Sequence, residues 1–430
     1  MFLSINSIKL KLVKLLLLLL PFHYLFFVIL LNDLSFAKYW KDIVFILLIF
    51  AHLLCIKNVL EAKVDLTLVT FFFFLIVVVY QLLISDIPLV ALYHARIYIF
   101  PMILYFVLRN TRISLTNLKS IIRAIFVVAI LVSIYGVVQS LFLKSDFLLK
   151  IGYPTLSNGQ LSHVFFLSGI SGFQRATSTF VYPNTFAFFL SLVFLVSFFN
   201  KELVFFKNDK IYYLGNFLIL MALFLTFSRS VFLSLAIILF ISKLRKINEI
   251  STKRLSILML SISFFVLLTL LFKNVGIFKV VYDYSIRTFT LQDTSAVGHL
   301  NSYTHSLEIM KNNWFGTGLG YNGPKALMNF SNPNLTESSY FLMQFEVGII
   351  GAIFYFFIYL SILFYSFKNS KNNTHCTTRN INLTTKYLII FVLTSYLFLP
   401  YIQDIETMFI FWGFLGILDN RSNGVYTNAN

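Results

Sequence analysis

Apolar runs of about 20 residues recur along this chain, and they constrain its fold more than any other feature. A run of that length crosses the hydrocarbon core of a membrane as an α-helix. Lipid offers no hydrogen-bond partner to the backbone, so the runs must be helical. Only 12% of the 430 residues are charged, about half the share of a typical soluble domain. The sequence therefore predicts an all-α, polytopic membrane protein.

The runs predict about twelve membrane-spanning helices in a single integral membrane domain, residues 1–430. The expected spans are residues 12–31, 42–60, 66–84, 87–108, 120–143, 179–199, 211–227, 230–242, 255–272, 338–367, 386–400 and 404–419. The first run is too long for the apolar part of a signal peptide, and no small-residue cleavage site follows it. We therefore expect the first span to be retained.

Basic residues set the expected orientation. With the N-terminus in the cytoplasm, 22 of the 34 Lys and Arg residues fall in cytoplasmic segments, although most of the loop length lies on the other side. Cytoplasmic loops of membrane proteins carry such an excess. Both termini are therefore predicted to be cytoplasmic. Two long loops are predicted to be external: residues 144–178, and residues 273–337 between the ninth and tenth spans, with short helices in the second.

Charge and cysteine content exclude other classes of site. The net charge of +17 is spread between the apolar runs and forms no patch beside stacking aromatics, so we expect no nucleic-acid partner. Cys55 lies in a span and Cys376 in a predicted cytoplasmic loop, and the chain has no CxxC. Neither a disulfide nor a zinc site is indicated.

Residues 211–242 are predicted to form a hairpin that turns below the outer surface. As one straight helix they would measure about 48 Å, against a hydrocarbon core of about 30 Å. A turn at Ser228-Arg229-Ser230 resolves this and keeps the basic residues that follow on the cytoplasmic side. Arg229 would then lie at membrane depth, where it needs water, a partner or an anionic ligand. The alternative is an arginine that snorkels to the headgroups.

Four stretches carry a resemblance to a known family. They are FQRATSTFVYPN at Phe173–Asn184, LTFSRS at Leu225–Ser230, Gly298–Gly320 ending in NWFGTGLG, and Glu337-Ser-Ser-Tyr followed by EVGIIG at Glu346–Gly351. In this order, and surrounded by a dozen spans, they resemble the O-antigen ligase and polymerase superfamily of bacterial inner-membrane proteins. The N-terminal third matches only in being hydrophobic.

The resemblance implies polymerisation or transfer of oligosaccharides carried on undecaprenyl diphosphate, at the outer face of the inner membrane. Ligases of the family typically show His-Asn or His-Ser, nine residues, and then Gly-x-x-Gly. Here the spacing to Gly348 and Gly351 is kept, but position 337 is Glu. This departure favours a polymerase of O-antigen or capsule repeat units over an O-antigen ligase. A lipid-linked oligosaccharide flippase, which would show related halves, and a non-catalytic assembly partner are the alternatives from other classes.

The same resemblance implies the partners. They are the undecaprenyl-diphosphate-linked oligosaccharide, membrane lipid and a chain-length regulator protein. A lipid diphosphate is already an activated leaving group, so we expect no cofactor, neither nucleotide nor metal. The chain has no Asp-x-Asp pair, and no βαβ pattern surrounds Gly316-Thr-Gly-Leu-Gly320, which we interpret as a turn near the membrane surface.

The candidate catalytic cations are Arg175 and Arg229. The expected reaction displaces the lipid diphosphate from an anomeric carbon by a sugar hydroxyl, so negative charge builds on the diphosphate. Arginine suits this task because its guanidinium binds two phosphate oxygens and does not deprotonate. Arg287, in the long external loop, is a weaker third candidate for substrate binding. A solvated loop charge is the alternative for Arg175 and Arg287.

Glu337 is the candidate general base, at the start of the tenth predicted span. A carboxylate there can equally cap the helix. Glu346, inside that span, is interpreted as structural or as lining a cavity. The remaining candidates for sugar contacts are Asn184, His305 and Glu308. The alternative for the asparagine is to order the start of its span, and a lone histidine in a loop is more often a surface residue.

Overall fold

The computed structural model describes residues 2–34, 36–55, 64–111, 113–156, 158–167, 173–204, 209–244, 276–290, 294–331, 333–372 and 376–419, with isolated positions between 260 and 274. Its α-helices are α1 (Phe2–Leu19), α2 (Trp40–Leu53), α3 (Leu66–Leu83), α4 (Pro88–Arg109), α5 (Leu115–Val138), α6 (Lys144–Ile151), α7 (Pro183–Phe199), α8 (Lys201–Val204), α9 (Asp209–Leu225), α10 (Arg229–Leu244), α11 (Gly276–Phe289), α12 (Thr294–Asn312), α13 (Ser339–Asn372), α14 (Cys376–Ser395) and α15 (Ile405–Leu418). Four 3₁₀ segments stand apart from them, at Ala37–Tyr39, His163–Phe165, Pro324–Met328 and Tyr401–Gln403.

The all-helical, membrane type of fold agrees with the prediction. Among the described residues, five helices are long and apolar enough to cross a membrane: Ile5–Leu30, Leu66–Leu83, Pro88–Arg109, Leu115–Leu143 and Ser339–Lys368. Shorter apolar helices cover Pro183–Phe199, Arg229–Ser242 and Ile405–Leu418. Strand pairing in the described part is limited to isolated bridges. The count of twelve stays a prediction, and the predicted span 255–272 lies almost entirely outside the described residues.

Two helices are surrounded by the rest of the molecule. Every side chain of α7 is buried except Asn184, and every side chain of α15 is buried except Glu406. Such uniformly apolar helices have no polar face to turn towards solvent, so they occupy the centre of a bundle. Gly416 allows α15 to lie against the backbone of α4, because a Cβ there would meet the Tyr105 carbonyl oxygen at 2.8 Å.

The hairpin predicted within residues 211–242 is present. Helix α9 ends at Leu225 and α10 begins at Arg229, with Phe227 between them at a left-handed φ of 49°. The turn lies slightly earlier than predicted. The Ser228 carbonyl oxygen accepts a hydrogen bond from the Phe232 backbone N–H, so Ser228 is the N-terminal cap residue of α10. Serine is favoured at that position. Arg229 is therefore the first residue of a helix and not the middle of the turn.

The long external loop is joined to helix α13 through two glycines. The helix is interrupted at Gly348, where φ is 72° and ψ is 173°. The backbone groups released there bind the loop: Ile349 N–H donates to the Trp314 carbonyl at 2.9 Å, and Thr317 N–H donates to the Phe345 carbonyl at 2.6 Å. A Cβ on Gly316 would lie 2.7 Å from the Gly348 nitrogen. The segment 316–320 is thus a turn, as predicted, and it packs on helix α13.

Two regions predicted to be loops contain helical residues. Cys376, expected in a loop, is the first residue of α14, which begins ten residues before the predicted span 386–400. The first predicted external loop, 144–178, contains helix α6 and packs around a small apolar cluster of its own. The buried members of that cluster are Leu25, Leu148, Tyr153, Leu161 and Phe165.

Candidate functional site

Helices α7, α10, α13 and α15 begin close to one another, and we call this region the outer end of the bundle because the predicted orientation places it outside. Asn184 and Glu406, the only partly accessible residues of the two central helices, both lie in the first turn of their helix at this end. Since the sides of these helices are covered, solvent reaches them from the end. The outer end therefore exposes polar groups of both central helices.

Arg175 connects three segments of chain at this end. Its Nε donates to the Thr226 carbonyl oxygen at 2.7 Å, and one Nη donates to the Asn184 Oδ1 atom at 2.7 Å. The other Nη donates to the Val164 carbonyl at 3.1 Å. Arg175 is half-buried. The alternative of a solvated loop charge is therefore wrong for this arginine, and Asn184 serves to orient it.

Arg229 lies on the other side of the same turn. Its guanidinium carbon lies 5.2 Å from the ring centroid of Tyr284 on α11, within the range of a cation–π contact. Tyr284 in turn packs edge-on against Phe227 at 5.7 Å. Because Arg175 binds Thr226 and Arg229 follows Ser228, the turn 226–228 brings the two predicted arginines into one region. Arg229 is half-buried there, held by aromatic packing and not extended to the surface.

A third helix start adds to this region. Tyr401 precedes α15, and its hydroxyl lies beside Ser228 and Ser230. Its ring stacks on Phe188 of α7 with centroids 4.4 Å apart. Burial raises the pKa of the Tyr401 hydroxyl, which therefore stays protonated and able to donate. The first turns of α7, α10 and α15 each present the positive end of a helix dipole, so the region suits an anion.

Glu337 lies just before helix α13, beside the loop helix α12. Its backbone N–H donates to the Ser302 hydroxyl at 3.1 Å. Burial, and less strongly the charge of Glu337, raises the pKa of Tyr303 on α12. Ser338 provides a cap for α13, because its Oγ accepts from Tyr340 N–H at 3.2 Å. Both predicted roles of Glu337, general base and charge at the helix N-terminus, stay predictions.

The three other predicted substrate contacts lie on the loop helices. Arg287 is half-buried on α11, three residues after the tyrosine that underlies Arg229. His305 and Glu308 are exposed on α12. These two side chains lie outside the buried part of the outer end, so the structure does not bring them together with Arg175.

Glu346 has a structural role. It is fully buried in α13, and its two oxygens accept from the Tyr98 hydroxyl at 2.5 Å and from Gly320 N–H at 3.2 Å. His94 Nδ1 lies 3.3 Å from the same carboxylate. The carboxylate thus fixes the glycine turn against α4 and α13, which favours the first of its two predicted roles over cavity lining.

An ion cluster at the outer end was missed by the sequence argument. The Lys41 Nζ and His23 Nε2 atoms each lie 3.3 Å from the Glu406 Oε1 atom. The lysine and histidine side chains are buried, whereas the glutamate side chain is 25% exposed. Lys325 of the external loop acts electrostatically on Glu406 and on Asp404. Ionisable residues inside apolar segments are a functional signal by themselves, but the N-terminal third showed no motif that would have singled out Lys41.

Metal ligation has no support among the described residues, where no group of three or more His, Cys, Asp and Glu side chains could hold an ion. The chemistry of the outer end is that of arginine, tyrosine, hydroxyl and carboxylate groups.

Comparison with known proteins gives one result. No curated protein matches the chain. Residues 214–356 match the sequence model of a family described as O-antigen ligase. The matched third of the chain contains the α9–α10 hairpin with Arg229, the loop helices α11 and α12, Glu337, and the glycine contact between the loop and α13. Over these residues the chain is similar to the O-antigen ligase family.

Proposed function

We propose that this protein polymerises oligosaccharide repeat units carried on undecaprenyl diphosphate, forming O-antigen or capsular polysaccharide. The observation that carries the proposal is the placement of Arg175 and Arg229 on either side of one turn, at the starts of three helices. Two arginines and three positive dipole ends form a region suited to a diphosphate. We place it at the outer face of a bacterial inner membrane, with both termini in the cytoplasm.

The chemistry requires one bond to form and one to break. A sugar hydroxyl oxygen attacks the anomeric carbon of a second unit, and the bond from that carbon to the diphosphate breaks with its electron pair on the diphosphate. Arg175 and Arg229 stabilise the charge that develops there. The hydroxyl proton passes to a base, for which Glu337 is the candidate. Since Ser338 caps α13, the Glu337 carboxylate is not needed for that purpose. No nucleotide or metal is needed in this scheme.

Arg175 has a further role in the proposal. Its hydrogen bonds to Thr226 and Asn184 are present without substrate. Arg175 therefore holds the turn that precedes Arg229, and it also contributes positive charge. Arg229, which stacks on Tyr284, is the arginine placed to bind the diphosphate directly. Preorganised cations of this kind need no rearrangement during the reaction.

An O-antigen ligase, which transfers a finished chain to lipid A-core, is the second candidate because the matching family is described by that name. Glutamate at position 337, where ligases typically show histidine, favours the polymerase. The family relationship gives no support to the flippase alternative.

A reconstitution distinguishes the two candidates. Purified protein is incubated with single lipid-linked repeat units, either alone or with lipid A-core. A polymerase yields a ladder of longer lipid-linked chains in both mixtures and releases one undecaprenyl diphosphate for each linkage. Product that forms only when lipid A-core is present, one transfer per acceptor, would establish the ligase instead. A chain-length regulator is the proposed protein partner, and its addition should narrow the ladder without being needed for it.

A further inference from the structure

A basic groove lies at the opposite end of the bundle, between α1 and α5. Lys14, Lys119 and Arg123 line it together with the hydroxyls of Thr116 and Ser120, and none of its described lining residues is acidic. The groove is open along its side and has a volume of about 710 Å³. Three cations that line one groove together are suited to an anion.

The groove changes character along its length. Its other lining residues are Leu18, Ala124, Val127 and Val128. Because α1 and α5 run in the same predicted direction, these apolar residues lie deeper in the membrane than the cations that precede them in each helix. Lys14 Nζ donates to the Ser120 hydroxyl at 3.3 Å, which joins the two helices at the polar part. A ligand that fills this groove has an anionic head and an apolar tail.

We infer that the groove binds an anionic glycerophospholipid of the cytoplasmic leaflet, with the phosphate at Lys14, Lys119 and Arg123 and one acyl chain along Leu18 and Val127. The predicted orientation places the basic end of both helices at the cytoplasmic surface, where anionic lipids create a negative surface potential. This site is at the other end of the molecule from the proposed diphosphate site, so either assignment can fail without the other.

The test measures lipid binding to the full-length protein in detergent by native mass spectrometry. The probes are phosphatidylglycerol and phosphatidylcholine with identical acyl chains. Wild-type protein should bind its first phosphatidylglycerol about tenfold or more tightly than its first phosphatidylcholine. Phosphatidylglycerol has a net negative charge and phosphatidylcholine has none, and each cation near an anionic lipid adds about fivefold. The double variant Lys119→Gln, Arg123→Gln should reduce that preference to about twofold or less.

A matched control removes the same charge from the same predicted side. Lys11 and Lys210 are exposed and do not line the groove, so Lys11→Gln, Lys210→Gln should keep the wild-type preference. Thermal unfolding in detergent, run on both double variants, identifies any loss of folding, and the single variants Lys119→Gln and Arg123→Gln then replace the double one.

Three results would overturn the inference. The first is a wild-type protein without preference for phosphatidylglycerol. The second is an equal loss of preference in the groove variant and the control variant. In a competition arm, undecaprenyl phosphate that displaced phosphatidylglycerol at tenfold lower concentration would show that the groove serves the carrier lipid, which contradicts the assignment to a glycerophospholipid.

Discussion

Arg175 and Arg229 share a region but are held in different ways, and this difference has measurable consequences. Arg175 donates hydrogen bonds to two backbone carbonyl groups and to the side-chain amide oxygen of Asn184, from three separate segments. Arg229 rests on the ring of Tyr284. Lysine can replace the charge of either arginine but not its planar guanidinium group with several N–H donors.

The first prediction compares lysine at the two positions. Arg175→Lys should lower both activity and stability, because one ammonium cannot reach all three acceptors. A loss of about 1–3 kcal/mol of unfolding free energy is expected, in the range for hydrogen bonds that involve charged groups. Arg229→Lys keeps a cation over Tyr284, so it should lower polymer formation while the unfolding midpoint stays near that of wild type.

Thermal unfolding in detergent and the ladder assay, run on the same preparations, check this difference. Wild-type polymer from Arg229→Lys would remove that arginine from the proposed diphosphate site. An unchanged unfolding midpoint for Arg175→Lys would show that its three hydrogen bonds do not stabilise the fold.

At this scale the sequence predicted the arginines but not their partners. Arg175 and Arg229 stood out because charge is scarce in an apolar chain and because both lie in recognisable motifs. The contact of Lys41 with Glu406 joins residues that are far apart in the sequence. Neither lies in a motif of the predicted site, so only the packed structure brings them together.

Among the elements, the junction of the external loop with α13 is the most constrained. Gly316 has a φ of 84°, and a Cβ there would lie 2.7 Å from the Gly348 nitrogen and 2.9 Å from the Phe345 carbonyl oxygen. Backbone atoms cannot move aside as a flexible side chain can. The buried carboxylate of Glu346 holds Gly320 of the same turn.

The second prediction concerns this junction. Gly316→Ala should destabilise the protein by about 2 kcal/mol or more, because it adds a backbone clash to an unfavourable φ. Gly298→Ala is the control: that glycine lies in α12 with nothing within 4 Å of the added Cβ, so alanine should be neutral or slightly stabilising. Unfolding midpoints in detergent provide the comparison. Equal midpoints for the two variants would contradict the close approach of the loop to the helix.

The elements themselves were largely predictable, whereas their exact ends were not. Apolar runs predicted α3, α4 and α15 to within a few residues, because hydrophobic length determines a span. The turn of the α9–α10 hairpin was displaced because the cap at Ser228, a local hydrogen-bonding choice, decides where α10 begins. The break in α13 at Gly348 depends on a loop more than 30 residues away in the sequence. The glycine alone therefore did not predict the break.

Over the whole molecule, the outer end and the basic groove lie at opposite ends of the bundle. Which side of the membrane each end faces follows from the orientation predicted from the distribution of Lys and Arg. The partly accessible residues of the two central helices, Asn184 and Glu406, lie at the outer end.

The third prediction tests that orientation. In a background in which Cys55 and Cys376 are serine, Met328→Cys should react with an impermeant thiol reagent in cells whose outer membrane is permeabilised, because Met328 is 75% exposed in the external loop. Lys11→Cys, exposed near the start of α1, should react only after the inner membrane is opened. The reverse pattern would overturn the topology and, with it, the external position of the site.

The central claim is that Glu337 removes the proton from the attacking sugar hydroxyl, and Glu337→Gln tests it most directly. Glutamine keeps the size of the side chain, and Ser338 continues to cap α13. The matched control is Glu202→Gln, an exposed glutamate on α8. The measurement is the rate at which purified protein converts single lipid-linked units into a ladder. We predict a loss of about 10²-fold or more for Glu337→Gln and a rate near wild type for Glu202→Gln. A near-normal ladder from Glu337→Gln would contradict the assignment.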